Sequence, residues 1–265
     1  MKNENFYEGK FIKTERWRGG KMLFLPFLHK LARQRLFVRH LKKGKRDKII
    51  LDIGCGGGND LFTRFGEVWG VDISKSSLKF AKTIYSKTIL SSADNIPIKE
   101  KGVDIVLSAD LLGHLPPKLK NKVLRETFRV LKPGGKAFHY SEIKGNDLFC
   151  RWAKKYPSLY KKYFIDQDGH LGLESIEDLT KRFDQAGYKV VRAIPLFKLP
   201  FDLTEFCKRF DNEFKQKNLF ISALVGTARA CNKVKPLKLI IELFGGFLAD
   251  FISVFCLLLM REGYF

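Results

Sequence analysis

Residues Ile49 to Gly58 read Ile-Ile-Leu-Asp-Ile-Gly-Cys-Gly-Gly-Gly, and Asp72 closes the next apolar run, Glu67-Val-Trp-Gly-Val-Asp. Glycines after an apolar run let backbone approach a ligand where side chains would clash. A carboxylate at the tip of the following strand accepts two donors and can hold a ribose diol. The pairing predicts a site for a nucleoside cofactor. It is not the dinucleotide fingerprint Gly-x-Gly-x-x-Gly: glycines stand at 54, 56, 57 and 58, and Asn59 occupies the place of the third required glycine. A pyrophosphate cradle is disfavoured.

The elements that must position these residues follow from periodicity. Apolar runs predict strands at 48–53, 67–72, 88–92, 103–109, 135–141 and 188–194, with helical patterns between them. Ser74 reads as an N-cap for a helix carrying Leu78, Ala81 and Tyr85 inward; Leu124, Phe128 and Leu131 mark another, ended by Pro133-Gly134-Gly135. A further helix is expected at 175–186. This βα alternation implies an α/β fold, a Rossmann-like, doubly wound, mostly parallel sheet with ligands at the carboxyl ends of its strands.

The flanking segments break the alternation. Residues 1–47 read as a basic helical cap, with Leu25, Leu28, Ala32 and Leu36 on one face. Residues 48–200 form the cofactor domain. Within it, 145–172 is an aromatic and basic insertion holding Trp152, Tyr156, Tyr160, Tyr163 and Phe164, placed where a lid would lie. Residues 201–265 are an apolar helical extension. Its stretch Leu239 to Met260 carries Glu242 and Asp250, which favours an interfacial or substrate-covering hairpin over a true span.

With 265 residues and 45% hydrophobic content the chain can bury a substantial core, and disorder is excluded. The balance of 49 Lys+Arg against 28 Asp+Glu, a net charge of +21, implies an anionic partner: nucleic acid, membrane headgroups or an acidic substrate. Five cysteines, at 55, 150, 207, 231 and 256, show neither zinc spacing nor a disulfide framework, which fits a reducing cytoplasm. The N-terminus lacks the apolar stretch of a secretory signal.

Four further segments turn the opening pattern into a family resemblance. They are Ser92-Ala-Asp-Asn-Ile-Pro-Ile, Val103-Asp-Ile-Val-Leu-Ser-Ala-Asp-Leu-Leu-Gly-His-Leu-Pro-Pro, Leu124-Arg-Glu-Thr-Phe-Arg-Val-Leu-Lys-Pro-Gly-Gly, and Gly187-Tyr. With Asp52-Ile-Gly-Cys-Gly-Gly-Gly, this series resembles the type 11 methyltransferase domain of class I S-adenosylmethionine-dependent methyltransferases, the group that includes ubiquinone and menaquinone biosynthesis enzymes. The resemblance covers roughly 45–195.

It implies S-adenosylmethionine as cofactor and S-adenosylhomocysteine as product. Gly54, Gly56 and Gly58, with Asp52 and Cys55 in the same loop, would face the methionine part. Asp72 would take both ribose hydroxyls and Ile73 would pack on the adenine. Asp94 would accept from the adenine amino group, with Ala93 and Asn95 beside it. Ser108, Ala109 and Asp110 would sit near the sulfonium methyl. The family usually ends in a seventh, antiparallel strand, so the residues from 201 onward would be inserted before it.

A sulfonium methyl is already activated, so transfer needs alignment, water exclusion and at most one base. His114, His170 and Asp110 are the base candidates, His114 first because it directly follows the fourth strand. Some quinone O-methyltransferases bind a metal through carboxylates just before the equivalent histidine. Gly113 stands there in this chain, and no metal is assigned. The expected function is methyl transfer to a small-molecule or lipid-like acceptor, by a cytoplasmic protein peripheral at the membrane. An RNA methyltransferase and a non-catalytic cofactor-binding protein are the alternatives.

Overall fold

The computed structural model describes residues 37–38, 41, 47–145, 147–194 and 203–241. These fall into two compact units. Of the described residues, one takes in those up to Lys144 and returns for Leu171–Val191; the other takes in Gly145–His170 and those from Arg192 onward.

The first unit is a five-stranded parallel sheet of β1 (Ile49–Ile53), β2 (Glu67–Asp72), β3 (Lys87–Leu90), β4 (Val103–Ala109) and β5 (Leu131–Tyr140), in the order β3-β2-β1-β4-β5. Crossovers run through α1 (Lys75–Ala81) and α2 (Pro117–Val130), and α5 (Ile176–Gln185) follows the chain's return. Strands buried on both faces need near-continuous apolar runs, which is what β1 and β4 carry. Ile50, Ile105 and Leu107 face one layer with Leu61, Phe62 and Leu78. Leu51, Ile53, Val71 and Val106 face the other with Val123 and Val130. Each such side chain contributes about 1.5–3 kcal/mol by leaving water.

The helix signals hold. Ser74 caps α1 by accepting from the Ser77 N–H at 3.1 Å, and Ser175 caps α5 by accepting from the Asp178 N–H at 3.1 Å. Tyr85 is buried as expected, although α1 ends at Ala81 and leaves it in the turn beyond.

Three expectations need correction. Tyr188 to Ile194 is not a strand: Tyr188 wedges its ring against Phe128 and Phe183 and pairs its hydroxyl with Thr127 at 2.9 Å, while Val191 is 90% exposed. Apolar alternation cannot reveal whether a neighbouring strand is there to pair with. Phe128, expected inward, is half exposed, because it is the surface partner of Tyr188. And β5 starts at Leu131 rather than 135, because Pro133-Gly134-Gly135 bulges out inside the strand: Val103 pairs with Leu131 but Ile105 with Lys136. Most of the basic helical cap expected over 1–47 and the apolar stretch from 242 onward lie outside the described residues, as does the last cysteine. The four described cysteines are free.

The second unit is helical: α3 (Leu148–Ala153), α4 (Pro157–Tyr160), a π-helical turn at Lys161–Asp166, then α6 (Leu203–Phe210), a 3-10 turn at Glu213–Lys217 and α7 (Leu219–Lys233). Its core is aromatic. Trp152 lies 5.7 Å from Phe214, Tyr160 stacks on Phe164 at 4.8 Å, and Phe206 and Phe210 fill the space between. The insertion's aromatic residues are thus spent on packing with 203–241. Arg209 is buried there, paired with Asp168 and with Glu205 at 2.6 Å, its guanidinium 5.1 Å from the Phe164 ring centre. Among the described residues no helix is long and apolar enough to cross a membrane.

Where the chain returns to the first unit, Lys120 of α2 fastens it. The buried ammonium donates to the Gly172 carbonyl at 2.6 Å and to Glu174 at 2.7 Å, and Arg182 of α5 also donates to Glu174, at 2.7 Å. Burial holds the Lys120 pKa below the ordinary lysine range, against the pull of Glu174. Removing one partner of a buried pair strands the other, so Lys120→Ala is expected to cost about 3 kcal/mol in urea unfolding. Lys161→Ala, which breaks an exposed pair with Asp166, leaves the unfolding midpoint unchanged.

Candidate functional site

The carboxyl ends of β1 and β4 lie side by side at the centre of the sheet, where the crossovers diverge to opposite sides. In a doubly wound sheet this switch point opens the ligand crevice. After β1 the chain turns through Gly54, Gly56 and Gly58, at φ of 64°, 52° and 82°. L-residues other than glycine meet a steric penalty there. A Cβ on Gly54 would lie 2.8 Å from the Leu111 side chain, and one on Gly58 2.9 Å from Ile84. Both backbone and space therefore demand glycine.

Asp72 locks this turn to β2. Its Oδ2 accepts from the Gly56 N–H and its Oδ1 from the Ser74 N–H, both at 2.8 Å. The Gly54 and Cys55 N–H groups donate to the Val71 carbonyl at 2.8 and 3.1 Å. Cys55 is no nucleophile: burial first, then the carboxylates of Asp52 and Asp72, push its thiol pKa well up. Asn59 replaces a glycine because the turn needs its side chain, whose Oδ1 accepts from the Leu61 N–H at 3.0 Å and starts a 3-10 turn.

The loop after β3 is clamped from behind. Glu126 of α2 accepts from the Ile96 N–H at 2.8 Å, and Arg129 donates to the Ile96 carbonyl at 3.0 Å. This fixes the segment presenting Asp94 and Asn95, in which Ser92 donates its hydroxyl to Asp94. Ile73 keeps an exposed face beside Asp72, whereas Ala93 points into the core.

After β4 the backbone kinks at Asp110, whose φ of 64° is unusual for a residue with a side chain and whose N–H donates to the Tyr140 carbonyl at 2.8 Å. His114 ends the 3-10 turn that follows. The turn is held from outside: the N–H groups of Leu171 and Gly172 both donate to the Gly113 carbonyl, at 3.1 and 3.2 Å. A side chain at Gly172 would meet the Leu115 carbonyl at 2.1 Å.

A ring nitrogen of His114 and a carboxylate oxygen of Glu142 lie within 4.8 Å of one another. That spacing suits a proton-accepting pair and would also accommodate a cation. Glu142 was invisible to sequence reasoning, since nothing in Tyr-Ser-Glu marks it and only the pairing of β5 with β4 carries it toward His114. His170 belongs to the second unit, where it is buried with Nδ1 3.0 Å from the Phe164 carbonyl. A carbonyl only accepts, so Nδ1 carries the proton.

Two expected cofactor contacts are differently employed. Asp52 is buried and accepts from the Tyr85 hydroxyl at 2.7 Å. Ser108 is fully buried, its hydroxyl 2.8 Å from Nδ1 of His139, so its side chain braces β4 to β5. Ala109, next along β4, is partly exposed at the strand's carboxyl end.

This parallel sheet, with a glycine turn after the first strand and a carboxylate at the tip of the second, defines a nucleoside-binding, Rossmann-like α/β domain. Residues 51–139 match the family described as "Methyltransferase domain". Ubiquinone biosynthesis O-methyltransferase of Idiomarina loihiensis is 33% identical over 148 residues, 50% of this chain and 58% of that protein. Arsenite methyltransferase of Halobacterium salinarum is 24% identical over 189 residues, 66% of this chain and 45% of that protein. Two solved structures share the fold. A SAM-dependent methyltransferase from Archaeoglobus fulgidus has TM-score 0.51 and 22% identity, covering 69% of this chain and 80% of that one. Haemonchus contortus phosphoethanolamine N-methyltransferase 2 has TM-score 0.52 and 22% identity, covering 80% and 50%. Over residues 51–139 the chain therefore resembles the class I S-adenosylmethionine-dependent methyltransferase domain. It spans little more than half the length of the curated ubiquinone relatives it matches.

The brace at Ser108 yields a pH prediction. Nε2 of His139 is buried without a partner among the described residues, and burial lowers the imidazole's pKa to about 4. A histidine kept neutral by the fold adds stability above its ordinary value of about 6.5, and that contribution is lost as pH falls from there toward 4. The stability difference between wild type and His139→Gln in urea unfolding should therefore be constant above pH 6.5 and shrink below it.

Proposed function

We propose that this protein transfers a methyl group from S-adenosylmethionine to a small-molecule or lipid-like acceptor at a membrane face. The reading is carried by one observation: three left-handed glycines tied by Asp72 across the end of β1. The residues fit the cofactor, because the turn is bare of side chains where a Cβ would close it and a carboxylate stands at its rim. Asp72, already oriented by two amides, accepts from a ribose diol. Ile73 offers its exposed apolar face to the adenine, and Asp94 an acceptor to the exocyclic amine. The glycine amides and carbonyls of 54–58 bind the methionine end.

When bound, the cofactor supplies a methyl group already activated on a positive sulfur. The chain then has only to align the acceptor and take its proton. His114, with Glu142 nearby, is placed at the end of β4 for that step. A pair able to accept a proton suits an acceptor hydroxyl or amine. The names of the curated relatives, ubiquinone biosynthesis O-methyltransferase and arsenite methyltransferase, support a small acceptor over a polymer.

Support for the membrane comes from the second unit. Leu219 and Phe220, at the start of α7, are 91% and 67% exposed, and Leu237, Leu239 and Ile240 are exposed beyond its end. Exposed lysines 217, 233 and 235 flank them in a chain of net charge +21. Apolar side chains among lysines suit an anionic lipid surface.

Two measurements test this. Calorimetry should show wild type binding S-adenosylhomocysteine, and Asp72→Ala weakening it about a hundredfold, as expected for two charge-assisted bonds of about 1.5 kcal/mol each; equal affinity would remove the ribose assignment. In flotation, wild type should rise with phosphatidylglycerol vesicles and not with phosphatidylcholine vesicles. Leu219→Asp/Phe220→Asp should stay at the bottom with either, and no flotation of wild type at low salt would dismiss the membrane.

A further inference from the structure

We infer that Tyr85 is the positioning residue of the cofactor loop: its hydroxyl ties the buried Asp52 carboxylate to the Asn59 N–H and so sets the exit of the glycine turn. The inference rests on the S-adenosylmethionine reading above and goes past it, since Tyr85 lies outside every segment from which that reading was drawn.

The hydrogen bonds fix the direction of the network. The Asn59 N–H can only donate, and it meets the Tyr85 oxygen at 2.7 Å. The hydroxyl proton is then directed to Asp52 Oδ2, also at 2.7 Å, a much closer acceptor than the Asn59 carbonyl at 3.4 Å. Burial first, and the Asp52 charge second, push the Tyr85 phenol well above its usual pKa, so it keeps the proton it must donate. Phenylalanine would fill the same volume and break both bonds.

The surroundings are shaped around this ring. The Tyr85 N–H is bonded to the Ala81 carbonyl at 2.8 Å, so its backbone continues the last turn of α1. A Cβ on Gly70 of β2 would stand 2.8 Å from both the Tyr85 ring and Cys55 Sγ, so that glycine exists to admit them. From the same stretch, Ala81 and Ile84 abut Gly58. The segment 81–85 is thus the back wall of the loop. Asp72 holds the middle of the turn through Gly56, and Tyr85 holds its end through Asn59.

This gives Asp52 a role the sequence pattern does not suggest. It acts on the cofactor through Tyr85, by anchoring the loop.

The test is calorimetry with S-adenosylhomocysteine on wild type, Tyr85→Phe, Asp52→Asn and the double variant, together with hydrogen exchange at the Asn59 amide without cofactor. Tyr85→Phe should weaken binding about five- to tenfold and expose the Asn59 amide, because of its two lost bonds the one to Asn59 is the one that holds the loop. The double variant should lose no more than the worse single one, because both act through one network. A purely structural Tyr85 would lower the melting temperature while leaving affinity and Asn59 exchange unchanged, and that result overturns the inference. Losses that multiply in the double variant also overturn it. If wild type fails to bind S-adenosylhomocysteine, the methyltransferase reading falls and this inference with it; if wild type binds and Tyr85→Phe binds equally, this inference falls alone. Should Tyr85→Phe not fold, the Asn59 amide of wild type still decides, since rapid exchange there denies the bond.

Discussion

The backbone between Ile53 and Asn59 turns three times through conformations that favour glycine, and it does so against a buried negative charge. A turn built of glycine has lost the side chains that would otherwise fix its shape, and glycine carries the largest entropic cost of ordering. Some other part of the fold must supply the constraint. Here it comes from the second strand and the first helix: Val71 and Asp72 receive the turn's amides on one side, and Tyr85, held by Asp52, receives the last of them on the other. The sheet order matters because it places β2 beside β1 and so brings those groups within reach.

The same logic governs the turn after β4. It carries His114, and the chain returning from the helical unit braces it from outside at Leu171 and Gly172. That return is secured by Lys120, Glu174 and Arg182. A buried ion pair is a poor source of net stability but strongly penalises alternatives that leave one partner alone, which suits a junction that must meet the site in one register. The helical unit keeps its own order through stacked aromatic rings and the buried Arg209 with its two carboxylates.

Much of this was legible in the residues. Parallel strands buried on both faces announce themselves as unbroken apolar runs, so β1, β2 and β4 could be read nearly to the residue. Ser74 and Ser175 cap helices by chemistry local to the chain. What sequence could not supply were relations across the sheet. Tyr188 to Ile194 carries a strand's pattern yet finds no strand beside it among the described residues, and its tyrosine is taken by Phe128 and Thr127 instead. The family resemblance placed Ser108 near the sulfonium methyl, but its pairing with β5 sets its hydroxyl against His139. Glu142 went unnoticed and Tyr85 was read only as a core residue, because neither lies in a motif; their significance comes from what the fold brings near them.

The central claim is that the glycine turn, Asp72 and the loop at Asp94 form one S-adenosylmethionine site. A crystal structure grown with S-adenosylhomocysteine tests it most directly. The account predicts the ribose diol on the Asp72 carboxylate, the adenine against Ile73 with its amine toward Asp94, and the homocysteine end over Gly54 to Gly58. Density for the nucleoside anywhere else, or its absence from crystals grown with ligand in large excess, would contradict it.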